Sequence, residues 1–193
     1  MYEEIKKSLE SSPIIKKGDY DYFVNPITDG IPLMYPEILE EIVEFIKQKA
    51  IKENLDLNNI DKIVCVEAMG IHLSTALSLD TRIPFTVIRK REYGLPGEVP
   101  VFQETGYSKA NLYINYLEAG DKVIIVDDVV STGGTLTAVV EALKSMDVDV
   151  EFTVAIVEKY DGKKIVEEKT GVKVMSLAKL DINDGKIYVE ILD

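Results

Sequence analysis

One histidine, one cysteine and no tryptophan occur in this chain of 193 residues. Serine–histidine and zinc hydrolase chemistry usually draw on one or more histidines, so His72 alone leaves them little support. Cys65 alone excludes an internal disulfide and a multi-cysteine zinc site. Inside the run Ile63-Val64-Cys65-Val66 it reads as a buried, inert thiol. No stretch approaches the ~18 apolar residues of a membrane-spanning helix. The opening Met1-Tyr2-Glu3-Glu4-Ile5-Lys6-Lys7 has no apolar core and no small-residue cleavage site, so no secretory leader and a cytoplasmic location are expected. Positive charge is scarce too. With 22 Lys and Arg against 34 Asp and Glu, the net charge of −12 opposes nucleic acid as the main ligand. A small polyanion can still bind such a chain through backbone amides and a few local cations.

The remaining composition, 46% hydrophobic and 29% charged, is that of a globular protein, and the length suits a single domain over 1–193. Residues 2–10 have the pattern of a short amphipathic helix. Ile14–Lys17 and Tyr20–Val24, parted by Gly18-Asp19, suit a hairpin. Ile38, Leu39, Ile42, Val43, Phe45, Ile46 and Ala50 have helical spacing behind Pro36. Apolar runs then recur at Lys62–Val66, Pro84–Ile88, Val123–Val126, Val150–Val157 and Val172–Leu177. Continuous runs between helices are what a parallel sheet covered on both faces requires. The expected fold class is α/β, a mainly parallel sheet flanked by helices. The N-terminal hairpin forms a small extra lobe at about 12–35, and 180–193, with its turn at Asn183-Asp184-Gly185, is a further candidate for that lobe. Between the second and third runs lies a polar segment holding Gly94, Pro96, Gly97, Pro100 and Gly106. Loops of this length without their own structure are often lids.

The segment Val123-Ile124-Ile125-Val126-Asp127-Asp128-Val129-Val130-Ser131-Thr132-Gly133-Gly134-Thr135-Leu136 carries the most chemistry. A buried strand ends in two carboxylates, where open α/β sheets form their ligand crevice. Ser131, Thr132, Gly133, Gly134 and Thr135 then lead into a helix. Glycines admit an anion close to the backbone, helix N-terminal amides point at it, and hydroxyls add donors. Two acids at a strand end, or a Ser/Thr before a helix, are each ordinary turn and cap features. In this order they form an acid pair beside a phosphate cradle. The Gly-Lys-Ser/Thr ending of a P-loop and the G-x-G-x-x-G pattern are both missing. Neighbouring hydroxyls and a phosphate, as in ribose 5-phosphate, meet both requirements.

On these residues the chain resembles the type I phosphoribosyltransferases, whose motif is four apolar residues, two acids and a Thr-Gly-Gly-Thr-like loop. The resemblance implies that Asp127 and Asp128 hold the ribose hydroxyls and are catalytic, and that Ser131 to Thr135 bind the 5′-phosphate. It implies a pyrophosphate-binding loop at Glu67-Ala68-Met69-Gly70, with Met69 where relatives often have Arg and with a non-proline cis peptide. Arg89 and Lys90, in the densest cationic cluster of an acidic chain, are the expected cations for pyrophosphate. A lid at about 92–108 would close over the sugar, with Tyr107 and Lys109 at its end. Gly106 stands where adenine-specific members have Glu, so no general acid or base is named. Phe23, Val24 and Asn25 lie where the family hoods the base, Phe23 as a stacking ring or as core. With the 89–99 stretch, the whole chain is similar to the archaeal hypoxanthine/guanine phosphoribosyltransferases. That likeness implies a 6-oxopurine substrate, Mg²⁺ held mainly through phosphoribosyl pyrophosphate, and a homodimer. Adenine remains the alternative base. A DNA-binding regulator that senses phosphoribosyl pyrophosphate is a weaker alternative, because the acidic helix Pro36–Glu44 would repel DNA phosphates.

Overall fold

The computed structural model describes residues 2–18, 20–104 and 109–192. In chain order the elements begin with helix α1 (Glu3–Glu10), the strand pair β1 (Ile14–Lys17) and β2 (Tyr20–Phe23), and the short helix α2 (Pro26–Asp29). Helix α3 (Pro36–Lys52) follows, then β3 (Lys62–Val66), α4 (Gly70–Thr81) and β4 (Phe85–Ile88). Next come β5 (Val99–Glu104) and β6 (Lys109–Ile114), then β7 (Lys122–Val130), α5 (Gly134–Ser145) and β8 (Asp149–Glu158). The chain closes with α6 (Gly162–Thr170), β9 (Val174–Asn183) and β10 (Lys186–Ile191).

Six strands form one sheet in the order β10-β9-β8-β7-β3-β4, parallel except for the antiparallel β9–β10 edge. Its apolar runs are continuous because both faces are covered. Ile63, Ile124 and Val126 face a core with α1, α3 and α4. Val64, Val123 and Ile125 point the other way, to a core with α5 and the β5–β6 ribbon. Chain order reverses between β3 and β7. β3 is followed on one side by β4, and β7 on the other by β8. A ligand crevice forms at such a switch point, outside the carboxyl ends of the strands.

Four features differ from the sequence expectation. β7 continues to Val130, so the two aspartates lie within the strand, because Val129 and Val130 still pair with Val157 and Glu158 of β8. The segment expected to lack structure of its own contains an antiparallel ribbon, β5–β6. Val101, Leu112 and Ile114 of that ribbon are buried against α5. The 180–193 segment completes the edge of the main sheet through β10 rather than joining the β1–β2 hairpin. Helix α6 has no counterpart in the sequence reading, since Val166 is its one large buried side chain.

Candidate active site

β7 brings Asp127 and Asp128 to the switch point. Asp127 is buried, and its Oδ1 accepts a hydrogen bond from the Asp128 N–H at 3.1 Å. Burial pushes the Asp127 carboxyl up to about 6, while hydrogen bonds from Asp128 and the nearby Lys90 charge pull it down. Asp128 is raised well above the usual carboxylate range by burial first and then by the Asp127 charge. Two acids this close resist ionising together, so the pair favours a cationic or hydroxyl-rich neighbour.

After β7 the chain bends through Ser131 and Thr132 to Gly133, whose φ of 76° is the left-handed conformation glycine adopts without a Cβ penalty. The first helical bond of α5 runs from the Thr137 N–H to the Gly133 carbonyl. Residues 134–136 therefore present first-turn N–H groups with no acceptor within the helix, the arrangement that receives an anion.

The Glu67–Gly70 loop follows β3 and approaches Asp127 of the neighbouring β7. The Glu67–Ala68 peptide is cis. A Cβ on Gly70 would stand 2.7 Å from the Val126 carbonyl and 3.6 Å from Asp127 Oδ1, so only glycine lets α4 start this close to the acid pair. The Met69 methyl lies toward Gly30 of the α2 turn, linking the loop to the N-terminal lobe and supplying no charge.

Arg89 and Lys90 follow β4 and reach the same loop. The Arg89 Nε lies 2.6 Å from Glu67 Oε2, although its N–H is not aligned for a hydrogen bond. The Lys90 N–H donates to that same oxygen at 3.2 Å. The Arg89 and Arg91 guanidinium groups both lie over the Tyr93 ring, at 5.9 and 5.6 Å from its centre. Tyr107, expected at the end of the lid, lies outside the described residues. Lys109 opens β6, and its side chain is likewise outside them.

The three residues expected at the base stand at the end of β2 and the start of α2. Phe23 is buried in the core, with the Lys159 Nζ 5.2 Å from its ring centre. Asn25 is fully buried and already committed. Its Oδ1 caps α2 by accepting the Ile27 N–H at 2.9 Å, and its Nδ2 donates to the Ser8 carbonyl and to the Ser8 and Ser12 hydroxyls. The Val24 N–H donates to the Pro13 carbonyl, and Val24 lines a recess of about 430 Å³ beneath α1 with Ser8, Ser12 and Leu33. Both ends of the Asn25 amide are thus engaged within the N-terminal lobe.

Sequence reasoning passed over Lys159. It follows β8, its N–H donates to the Val130 carbonyl at 2.9 Å, and its ammonium lies between the Phe23 and Tyr160 rings. Burial lowers its pKa. The missed signal was its position, a lysine just past an apolar strand whose neighbour carries the two aspartates.

The family model for the phosphoribosyl transferase domain matches residues 35–189. A hypoxanthine/guanine phosphoribosyltransferase of Methanothermus fervidus is 56% identical over 189 residues, covering 98% of this chain and 97% of the relative. One from Methanobacterium lacus is 59% identical over 190 residues, covering 98% and 97%. Among solved structures, the adenine phosphoribosyltransferase of Thermoanaerobacter pseudethanolicus has a TM-score of 0.75 at 24% identity, covering 93% of this chain and 99% of that one. That likeness establishes the shared type I fold alone. The family match across most of the chain and the full-length relatives lead to one conclusion: the protein belongs to the phosphoribosyltransferases.

Proposed function

We propose that the protein transfers the phosphoribosyl group of phosphoribosyl pyrophosphate to hypoxanthine, and to guanine, in purine salvage. The observation that carries this reading is the adjacency at one switch point of the Asp127–Asp128 pair, the 131–135 phosphate loop and the Glu67–Gly70 loop with its Arg89 and Lys90 cations. A purine ring nitrogen attacks the anomeric carbon, the carbon–oxygen bond to pyrophosphate breaks, and the ring nitrogen releases its proton. The sugar passes through an oxocarbenium-like state, as in glycoside hydrolysis. Asp127 and Asp128 grip the ribose hydroxyls and place negative charge beside that cation. The 131–135 loop anchors the 5′-phosphate, and Arg89 and Lys90 take up charge on the departing pyrophosphate.

Among the described residues no cluster of three or more His, Cys, Asp or Glu is placed to hold a metal ion. Mg²⁺ held mainly by the substrate's own phosphate oxygens and water is included in the proposal on the strength of the family resemblance. Bound there, the ion would neutralise the leaving group. Action as a homodimer in the cytoplasm is part of the same proposal and rests on the family resemblance.

Lys159 favours a 6-oxopurine. Its ammonium only donates, so it complements the O6 acceptor of hypoxanthine and guanine and opposes the amino group of adenine. The relatives named hypoxanthine/guanine phosphoribosyltransferase point the same way. Spectrophotometric turnover with Mg²⁺, phosphoribosyl pyrophosphate and each purine in turn tests the proposal. Fast conversion of hypoxanthine and guanine with little of adenine is expected. Turnover of adenine alone would overturn the base assignment and leave the mechanism standing.

A further inference from the structure

We infer that Gly162, at the start of α6, is a positioning residue for the 5′-phosphate loop; this rests on the reading of residues 131–135 given above. A Cβ on Gly162 would stand 2.2 Å from the Ser131 carbonyl oxygen, 2.6 Å from its carbonyl carbon and 3.1 Å from its nitrogen. The contact is reciprocal, because a Cβ on Gly133 would meet the Gly162 carbonyl at 2.7 Å and Val166 Cγ2 at 3.0 Å. Two backbones therefore touch with no side chain between them. Neither can yield as a flexible side chain would.

The backbone of Gly162 does not itself call for glycine. It is helical, and Gly162 is absent from the residues with positive φ. A first-turn helical position accepts alanine as readily as glycine. What excludes a larger residue here is the Ser131 peptide. The same connection secures the loop one residue earlier, where the Lys159 N–H holds the Val130 carbonyl at 2.9 Å. Residues 159–162 thus form a brace behind the phosphate loop. A methyl group at 162 pushes the Ser131–Thr132 peptide out by about 1 Å, and a misplacement of that size can lower catalysis by ~10²-fold.

The test compares Gly162→Ala with Val166→Ala in the full chain. Val166 is buried in the same helix, and its Cγ2 lies toward Gly133, so its truncation relieves that neighbour of a contact instead of pushing on Ser131. Calorimetric titration with ribose 5-phosphate, together with initial rates, separates the two effects. For Gly162→Ala we expect the Kd for ribose 5-phosphate and the KM for phosphoribosyl pyrophosphate to rise tenfold or more, with the KM for hypoxanthine within twofold. For Val166→Ala we expect a lower Tm and a Kd within twofold of wild type. Equal weakening in both variants, or a folded Gly162→Ala with unchanged Kd, would overturn the inference. Should Gly162→Ala fail to fold, the wild-type Gly162 amide resonance decides. It should shift on addition of ribose 5-phosphate, and a static signal counts against the brace. Wild-type protein that does not bind ribose 5-phosphate would remove the reading of the loop itself, a result distinct from failure of the Gly162 role alone.

Discussion

Arg89 is paired with Glu67 at the site proposed for pyrophosphate, Nε to Oε2 at 2.6 Å, and the Lys90 N–H donates to the same oxygen. A pyrophosphate must therefore compete with a carboxylate for this guanidinium. Both side chains are partly exposed, and such pairs are worth about 0.2–1 kcal/mol. Glu67→Gln should tighten binding of inorganic pyrophosphate by up to roughly fivefold. Arg89→Ala should raise the KM for phosphoribosyl pyrophosphate at least tenfold. Calorimetry and initial rates check both, and an unchanged KM in Arg89→Ala would remove this residue from the site.

Asp127→Asn should cut turnover at least tenfold without unfolding the protein. Loss of one preorganised group commonly costs on the order of 2.7–4 kcal/mol of barrier. The amide can still accept the Asp128 N–H, so the circular dichroism spectrum should stay native. Unchanged kinetics in that variant would refute the assignment.

The same side chain sets a pH dependence. Burial first of all raises Asp127 to about 6 from an ordinary 3.8. Between those values the native state holds a proton that the unfolded state has released, so this group's contribution to stability falls as pH rises through the window. Above about pH 6 the full cost of a buried carboxylate is present, on the order of 2–3 kcal/mol. Urea unfolding should find Asp127→Asn more stable than wild type at pH 8, with the gap closing toward pH 4. The kcat/KM of wild type should fall on the acid side with a midpoint near the same value, as Asp127 loses its charge. A variant no more stable than wild type at pH 8 would contradict the burial argument.

On the base side, Lys159 and Asn25 should behave as opposites. Lys159→Met is expected to raise the KM for hypoxanthine tenfold or more and leave that for phosphoribosyl pyrophosphate within twofold. Asn25→Ala removes a helix cap and three donor contacts, so it should lower stability by about 1–3 kcal/mol. Its KM for hypoxanthine should not change. A raised base KM in a stable Asn25→Ala would give the amide a role at the base as well.

Much of the fold is legible in the chain because the strands are covered on both faces. Ile63 to Val66 and Val123 to Val126 have nowhere to place a polar side chain, and their runs stand out. The acid pair and the phosphate loop are legible for a related reason, since consecutive residues supply both. The extent of β7 is not, because Asp127 and Asp128 look like the end of a strand until β8 is seen pairing beyond them. Nor is the use of Asn25. Its partners Ser8 and Ser12 lie far enough back in the chain that nothing local marks the amide as taken. The β5–β6 ribbon is hidden by Pro100 and by Gly94, Pro96 and Gly97 just before it, and α6 by having one large apolar side chain to bury. The close approach of Gly162 to Ser131 is a property of two backbones and leaves no pattern in residue type.

The strand order has a consequence for synthesis. β3 pairs with β4, which begins at Phe85, and with β7, which begins only at Lys122. The part from β7 to β9 is built from neighbours in sequence and can assemble through local crossovers. β3 cannot, because one flank has no partner until some sixty more residues are made. At roughly 5–20 residues per second that is several seconds of translation. Throughout this interval the nascent chain carries Ile63, Val64 and Cys65 along an open backbone edge, a template for pairing with another chain. A ribosome pausing ahead of Lys122 lengthens the exposure, so aggregation during expression should depend on the codons of 90–120 more than on those that encode the site.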